Sequence, residues 1–187
     1  IKLHKTMDGL TRIQVGMGAP KFDADDIPAL IGEGVVDIKS MLSYPITVAS
    51  KEFLLNFVSM GNPHAVYFGQ GSVADFPLSE LGLEVEQHRI FPNRTNFEVA
   101  NVISRQQIEA RVWERGVGET LACGSGACAV AVAAQRHGYI DNKVDIKLPG
   151  GILEVEWDGA GEVFLSGAAE IVFAGEWPTE SRLSRVD

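Results

Sequence analysis

The stretch Cys123-Gly-Ser-Gly-Ala-Cys-Ala-Val-Ala-Val-Ala-Ala134 decides the fold of this 187-residue chain. Residues 127–134 carry only Ala, Cys and Val side chains, and Gly138 stands where a left-handed residue ends a helix. A helix that is apolar all round is normally buried all round. The stretch therefore predicts a helix over residues 127–137 that other elements surround.

The rest of the chain is rich in short runs typical of β-strands. Residues 144–148 alternate between apolar and charged side chains, and Leu148-Pro-Gly-Gly-Ile152 predicts a tight turn into the next strand. A short helix is expected from about Pro77 or Leu78. Strands are predicted within residues 1–6 and over residues 11–17, 44–48, 53–60, 65–68, 98–103, 108–113, 144–148, 152–157, 162–166 and 169–173. The predicted class is α+β, a mixed, largely antiparallel sheet or barrel wrapped around the central apolar helix.

Composition excludes several functions. The formal net charge is −9 and there is no basic stripe, which argues against a nucleic-acid partner. No apolar run is long enough to cross a bilayer, so no membrane partner is expected. Two cysteines cannot make a disulfide framework, and their spacing fits no common metal pattern. We therefore expect a cytoplasmic protein with no metal.

Cys123 is the first candidate for chemistry. Several glycines close together indicate that a ligand or another chain segment approaches the backbone closely, or that the backbone adopts unusual angles. Backbone amides at the start of a helix favour the thiolate form of a nearby cysteine. We therefore predict that Cys123 is a base or nucleophile near neutral pH, whereas Cys128, inside the apolar run, is predicted to pack in the core. The glycines around Cys123 are Gly116, Gly118, Gly124 and Gly126.

Two polar corners complete the candidate site. Glu114 and Arg115 end a predicted strand, and alone they would be a solvated charged pair. Beside a thiol, the carboxylate can carry protons and the guanidinium can hold a carboxylate. Gly61-Asn-Pro-His64 is a stiff corner that is either a plain turn or a site in which Asn62 binds a ligand and His64 exchanges protons.

These residues resemble a known family. Four motifs occur in the order and spacing of diaminopimelate epimerase: Gly61-Asn-Pro-His64, Arg94-Thr-Asn96, Glu114-Arg-Gly116 and Ala122-Cys-Gly-Ser-Gly-Ala-Cys128. The resemblance implies a cofactor-independent amino-acid epimerase of two similar domains, which interconverts LL- and meso-diaminopimelate for lysine synthesis. One cysteine from each domain then faces the α-carbon, one as thiolate base and the other as thiol acid.

The resemblance also implies residue roles. Cys123 resembles the acid/base cysteine of the C-terminal domain, and Glu114 resembles the carboxylate that trades protons with it. His64 resembles the histidine that serves the opposite cysteine. The implied substrate contacts are Asn62, Asn96, Glu114, Arg115, Gly124 and Ser125.

The family's other cysteine motif does not occur in this sequence. On this interpretation residues 1–20 are trailing strands of an N-terminal domain, residues 21–174 are the C-terminal epimerase domain, and residues 175–187 are a tail that frays. The expected partners are diaminopimelate, the N-terminal domain, without which the chain is inactive, and a second copy in a homodimer.

Two alternatives stay open. One is a racemase of the proline or hydroxyproline type, although the Gly61–His64 and Glu114–Gly116 motifs suit a substrate with a second amino-acid end. The other is a non-catalytic module of the same fold that binds a small molecule.

Overall fold

The computed structural model describes residues 1–5, 11–30 and 41–176. Its strands and helices in chain order are β1 (Lys2–Lys5), β2 (Thr11–Gly16), β3 (Tyr44–Val48), β4 (Lys51–Ser59), β5 (Pro63–Phe68), α1 (Leu78–Glu86), β6 (Asn96–Ser104), β7 (Gln107–Glu114), β8 (Gly118–Thr120), α2 (Gly124–Arg136), β9 (Lys143–Leu148), β10 (Gly151–Glu156) and β11 (Phe164–Ala168). Neither α-helix of these described ranges is long and apolar enough to cross a membrane.

The described strands form one mixed sheet. Its order is β1-β2-β11-β10-β9-β7-β6-β5-β4-β3, with β8 attached to β7 outside this path. The pairs β5/β6 and β7/β9 are parallel, and the other pairs are antiparallel. The mixed, largely antiparallel sheet is therefore confirmed, but it is open rather than a barrel, because β1 and β3 lie at its two ends in the described part of the chain.

Helix α2 lies in the middle of this sheet, as predicted. It packs against β4, β5, β6, β7, β9 and β10, and its residues from Gly126 to Ala134 are all buried. Small side chains on this helix let the strands approach it from every side. The helix begins at Gly124, three residues before the predicted start, because the Cys123 sulfur accepts a hydrogen bond from the Gly126 N–H at 3.4 Å and so acts as the N-cap.

The middle strands have a core on each face. One hydrophobic cluster surrounds α2 and includes Val58, Val66 and Ile146. A second cluster lies under α1 and includes Phe57 and Phe97. Strands β4 to β6 therefore carry long buried runs instead of strict alternation. This double burial keeps the ends of these strands fixed relative to α2.

Several predicted elements shift in the structure. The alternation of β9 and the turn after Leu148 are confirmed, with Gly151 pairing Leu148. The predicted strand at residues 162–166 begins later, at Phe164. The predicted strand at residues 169–173 is wrong: apart from the bond from the Ala169 N–H to the Thr11 carbonyl at 3.0 Å, the segment makes no ladder with a described strand, and Ile171, Val172 and Phe173 are at least 84% exposed. Strand β8 was not predicted, because three residues are too short for a periodic signal.

The predicted domain boundaries stay a prediction. β1 and β2, which fall in the predicted trailing segment, extend the same sheet through the β2/β11 pair. Most of the predicted tail, residues 177–187, lies outside the described residues.

Candidate functional site

The Gly61–His64 corner joins β4 to β5 and carries the first part of the site. Gly61 has φ 89°, a left-handed conformation that glycine adopts without strain, and it turns the chain toward Pro63, which pairs Ser59. Strand β5 then runs parallel to β6 with His64 opposite Asn96. This pairing brings two of the four sequence motifs side by side.

Asn96 ties the second corner to the first. Its amide nitrogen donates to the Pro63 carbonyl at 2.9 Å, and its amide oxygen accepts the Arg115 backbone N–H at 2.9 Å. The side chain is 4% exposed. Both amide groups already have partners within the protein, so the structure gives Asn96 a role in holding the Arg115 loop, and its predicted contact with substrate stays a prediction.

Glu114 and Arg115 lie at the turn between β7 and β8. The Thr120 hydroxyl donates to the Glu114 carboxylate at 2.6 Å, while the turn closes through a bond from the Val117 N–H to the Glu114 carbonyl. Arg115 is exposed, and its guanidinium reaches the Asn93 carbonyl at 3.0 Å. Glu114 therefore faces the partly buried side of this turn, whereas the Arg115 guanidinium lies on the surface.

Cys123 caps helix α2 and contacts Ser125. Its Sγ atom lies 3.5 Å from the Ser125 hydroxyl and accepts the Gly126 N–H. The first turn of the helix has amides without intrahelical partners, as every α-helix does. Gly124 in this turn is closely packed, because an added Cβ would lie 3.1 Å from Leu165.

The predicted activation of Cys123 is wrong in direction. Burial raises the pKa of the Cys123 thiol, and the negative charge of Glu114 adds to this effect. The hydrogen bonds from Ser125 and the Gly126 amide lower the pKa but do not overcome burial. The helix start does favour a thiolate, yet desolvation of the charged form outweighs it here. Burial in this structure therefore favours the protonated thiol over the thiolate.

Cys128 behaves as predicted. It lies inside α2 at 0% exposure within the core cluster. Burial raises its pKa to about 12. An apolar setting of this kind keeps a thiol protonated and unreactive.

A chain of hydrogen bonds links the Gly61–His64 corner to the helix start. The Asn62 amide nitrogen donates to the Ser125 hydroxyl at 3.4 Å, and the Asn62 oxygen lies 3.0 Å from His64 Nε2. On its other side, His64 Nδ1 lies 2.7 Å from Glu98 Oε1, and both side chains are fully buried. The structure thus brings Asn62, His64 and Ser125 together with Cys123.

Two acidic residues of this region were not singled out from the sequence. Glu98 contacts His64, and Glu86, at the end of α1, accepts hydrogen bonds from the Trp113 indole, the Gly116 amide and the Arg94 side chain. Glu98 is charged in the otherwise apolar run Phe97–Ala100, which is the one sequence signal that could have found it. Glu86 has no such signal, because a glutamate late in an amphipathic helix is usually exposed.

Comparison with known proteins identifies the family. The sequence model described as diaminopimelate epimerase matches residues 56–172. The chain is 42% identical over 168 residues to the diaminopimelate epimerase of Microcystis aeruginosa, covering 89% of this chain and 58% of that protein. It is 45% identical to that of Desulfovibrio desulfuricans, covering 87% of this chain and 57% of the relative. The chain therefore spans less than two thirds of the length of these relatives.

The solved structures show the same fold. A hydroxyproline epimerase from Agrobacterium vitis with bound trans-4-hydroxy-L-proline superimposes with a TM-score of 0.57 at 12% identity. The match covers 84% of this chain and 49% of that protein. At this identity the likeness concerns the fold alone, whereas the sequence matches decide membership. The chain belongs to the diaminopimelate epimerase family.

Proposed function

We propose that this chain supplies one side of an epimerase site that interconverts LL- and meso-diaminopimelate. The observation that carries the proposal is Cys123 at the start of α2, with Ser125 in contact with its sulfur and Glu114 near enough for its charge to raise the pKa of the thiol. A thiol there can give a proton to an α-carbon while helix amides hold the α-carboxylate. Family membership supports diaminopimelate as the substrate.

The chemistry divides between the residues as follows. Epimerisation without a cofactor removes the α-proton from one face and returns a proton to the other. Cys123, held as a thiol by burial, delivers the returning proton, and Glu114 then restores the proton to the sulfur. The free amides in the first turn of α2, at Gly124 and Ser125, stabilise the charge that builds on the carboxylate in the transition state.

The other groups hold the substrate. Asn62 and Arg115 bind the distal amino-acid end, with Asn96 holding the Arg115 loop in place. His64 serves the opposite acid/base cysteine, which on this proposal belongs to an N-terminal domain. On this proposal the chain alone lacks one of the two acid/base groups, works in the cytoplasm and pairs with a second copy.

Proton exchange in heavy water tests this proposal. We expect the chain alone to leave the α-hydrogen of diaminopimelate unchanged in proton NMR spectra. Adding the N-terminal portion of the Microcystis aeruginosa relative should start exchange, and the Cys123→Ser variant should abolish it. Exchange by the chain alone at the rate of an intact epimerase would contradict the one-sided site.

Because the fold resembles that of a hydroxyproline epimerase, proline-type amino acids are the second substrate class to test. Calorimetric titrations of the chain with diaminopimelate and with proline separate the two, since the proposal predicts heat only with diaminopimelate. Absence of binding to both, together with a Cys123 thiol of ordinary pKa, would favour a non-catalytic module.

A further inference from the structure

Glu98 is a fully buried carboxyl group that the proposed mechanism does not use. It lies on β6 two residues after Asn96, and its Oε1 atom is 2.7 Å from His64 Nδ1. Its Oε2 atom is buried and has no hydrogen-bond partner among the described residues. A buried carboxylate with one unpartnered oxygen is unfavourable unless it binds a proton or faces a cation.

The hydrogen bonds of Asn62 determine where the hydrogens lie. An amide nitrogen only donates and an amide oxygen only accepts. Because the Asn62 nitrogen faces the Ser125 hydroxyl, its oxygen faces His64 Nε2. With the amide in this orientation, His64 Nε2 carries the hydrogen of that bond.

The short contact on the other side of the ring needs a second proton. With Nε2 protonated, the 2.7 Å contact between Nδ1 and Glu98 Oε1 is a hydrogen bond only if a proton lies between them. That proton belongs either to an imidazolium beside a carboxylate or to a carboxylic acid beside a neutral imidazole. In both cases the pair has no net charge.

We propose that Glu98 is a positioning residue for His64: the two side chains share one proton, carry no net charge together, and hold the His64 Nε2 hydrogen toward Asn62. This inference rests on the proposed role of His64 in the epimerase site. It differs from the usual carboxylate–histidine arrangement, in which Nδ1–H faces a carboxylate and Nε2 offers a bare lone pair.

The same hydrogen bonds lead from Asn62 through Ser125 to Cys123, the candidate acid. The Ser125 hydroxyl accepts from Asn62, and its single hydrogen is available to donate to the Cys123 sulfur 3.5 Å away. Burial raises the pKa of Glu98, His64 lowers it, and the charge of Glu114 raises it again, which agrees with a proton kept near this carboxyl group.

Nitrogen NMR of the unmodified chain tests the proton positions. In a sample with 15N-labelled histidine at pH 7, we expect His64 to show a hydrogen on Nε2 and a shared proton at Nδ1. Single variants of His88 and His137 assign those two signals, and the His4 signal is assigned in the same way. A bare Nε2 opposite a protonated Nδ1 would overturn the inference.

The Glu98→Gln variant tests the net charge. If the pair is neutral, this neutral replacement leaves the midpoint of the pH profile for Cys123 alkylation unchanged, as read on the Cys123 peptide by mass spectrometry. If Glu98 is an uncompensated anion, the midpoint falls, and that result would overturn the inference. Glu114→Gln, which removes a charge from the same surroundings, is the control that must lower the midpoint.

Neither measurement uses diaminopimelate. If His64 Nε2 carries no hydrogen, the inference about Glu98 is wrong, but the epimerase proposal is still decided by its exchange assay. If the exchange assay fails, the proton positions of His64 and Glu98 are unaffected. If the Glu98→Gln variant does not fold, the spectrum of the unmodified chain decides the inference by itself.

Discussion

Replacing Glu86 by glutamine changes a single atom at the point where three segments meet. The Glu86 carboxylate is 2% exposed and sits at the end of α1. One oxygen accepts the Trp113 indole N–H at 2.7 Å, and the other accepts the Gly116 amide at 3.1 Å and the Arg94 guanidinium at 3.3 Å. The variant therefore tests whether this carboxylate holds the loop that carries Glu114 and Arg115.

The magnitude follows from the donors that surround the carboxylate. A glutamine side chain must turn its NH₂ group toward either the Trp113 N–H or the Gly116 N–H, so one donor always faces another donor. A hydrogen bond to a charged group contributes about 1.5–3 kcal/mol, and an unpaired buried donor costs a similar amount. The Arg94 ion pair adds little, because its guanidinium is 54% exposed. We expect the free energy of unfolding to fall by about 2 kcal/mol.

Urea unfolding followed by circular dichroism measures this loss. The matched control is Glu84→Gln, which removes the same charge from an exposed position of the same helix and should change the free energy of unfolding by less than about 0.5 kcal/mol. For a chain of this size, a loss of 2 kcal/mol lowers Tm by about 4–8 °C. Equal stability of the two variants would refute the claim that Glu86 holds this loop.

Three further substitutions test the site and its supports. Ser125→Ala removes a hydrogen-bond donor to the Cys123 sulfur, so it should raise the pKa of Cys123. Alkylation at fixed pH should then slow about fivefold, which is the effect of one hydrogen bond of about 1 kcal/mol. An unchanged alkylation rate would exclude that bond. Glu114→Gln removes a nearby negative charge and should lower the pKa of Cys123, so slower alkylation would contradict the assigned cause. Gly82→Ala should lower Tm, although alanine favours helices, because its Cβ would overlap the Trp113 ring; a higher Tm would show that the ring moves aside.

Sequence patterns predicted those parts of the fold that depend on neighbouring residues. The burial of α2 is visible in its apolar run and that of β9 in its alternation, and both elements were predicted. The parallel pairs β5/β6 and β7/β9 join segments far apart in sequence, so no local pattern contains them. Residues 169–173 have a strand pattern, yet the described sheet pairs them with nothing beyond the single bond between Ala169 and Thr11. A period of two predicts a strand only where a partner strand is available.

The candidate site divides in the same way. The sequence signal for three site residues is a neighbouring glycine or proline, which constrains or frees the backbone: glycines surround Cys123, and Pro63 separates Asn62 from His64. Glu98 and Glu86 are carboxylates that tertiary contacts bury, and a sequence pattern reads such residues as exposed. The thiol pKa was mispredicted for the same reason, because Cys123 packs against a core cluster whose members are as distant in sequence as Val58 and Val163.

The protonation states on this side of the site favour one direction for the first proton transfer. On the proposed function Cys123 is the acid of this side, because burial raises its pKa and favours the protonated thiol. A side that already carries its protons can give one to the α-carbon but cannot first take one. On the proposed function, the resting site therefore accepts the diaminopimelate stereoisomer whose α-hydrogen faces away from Cys123. After one turnover the sulfur is a thiolate, and Glu114 must return a proton before the next substrate binds in the same orientation. The Glu114→Gln substitution should then slow repeated turnover in the reconstituted enzyme more than it slows the first turnover, which single-turnover and steady-state measurements can separate.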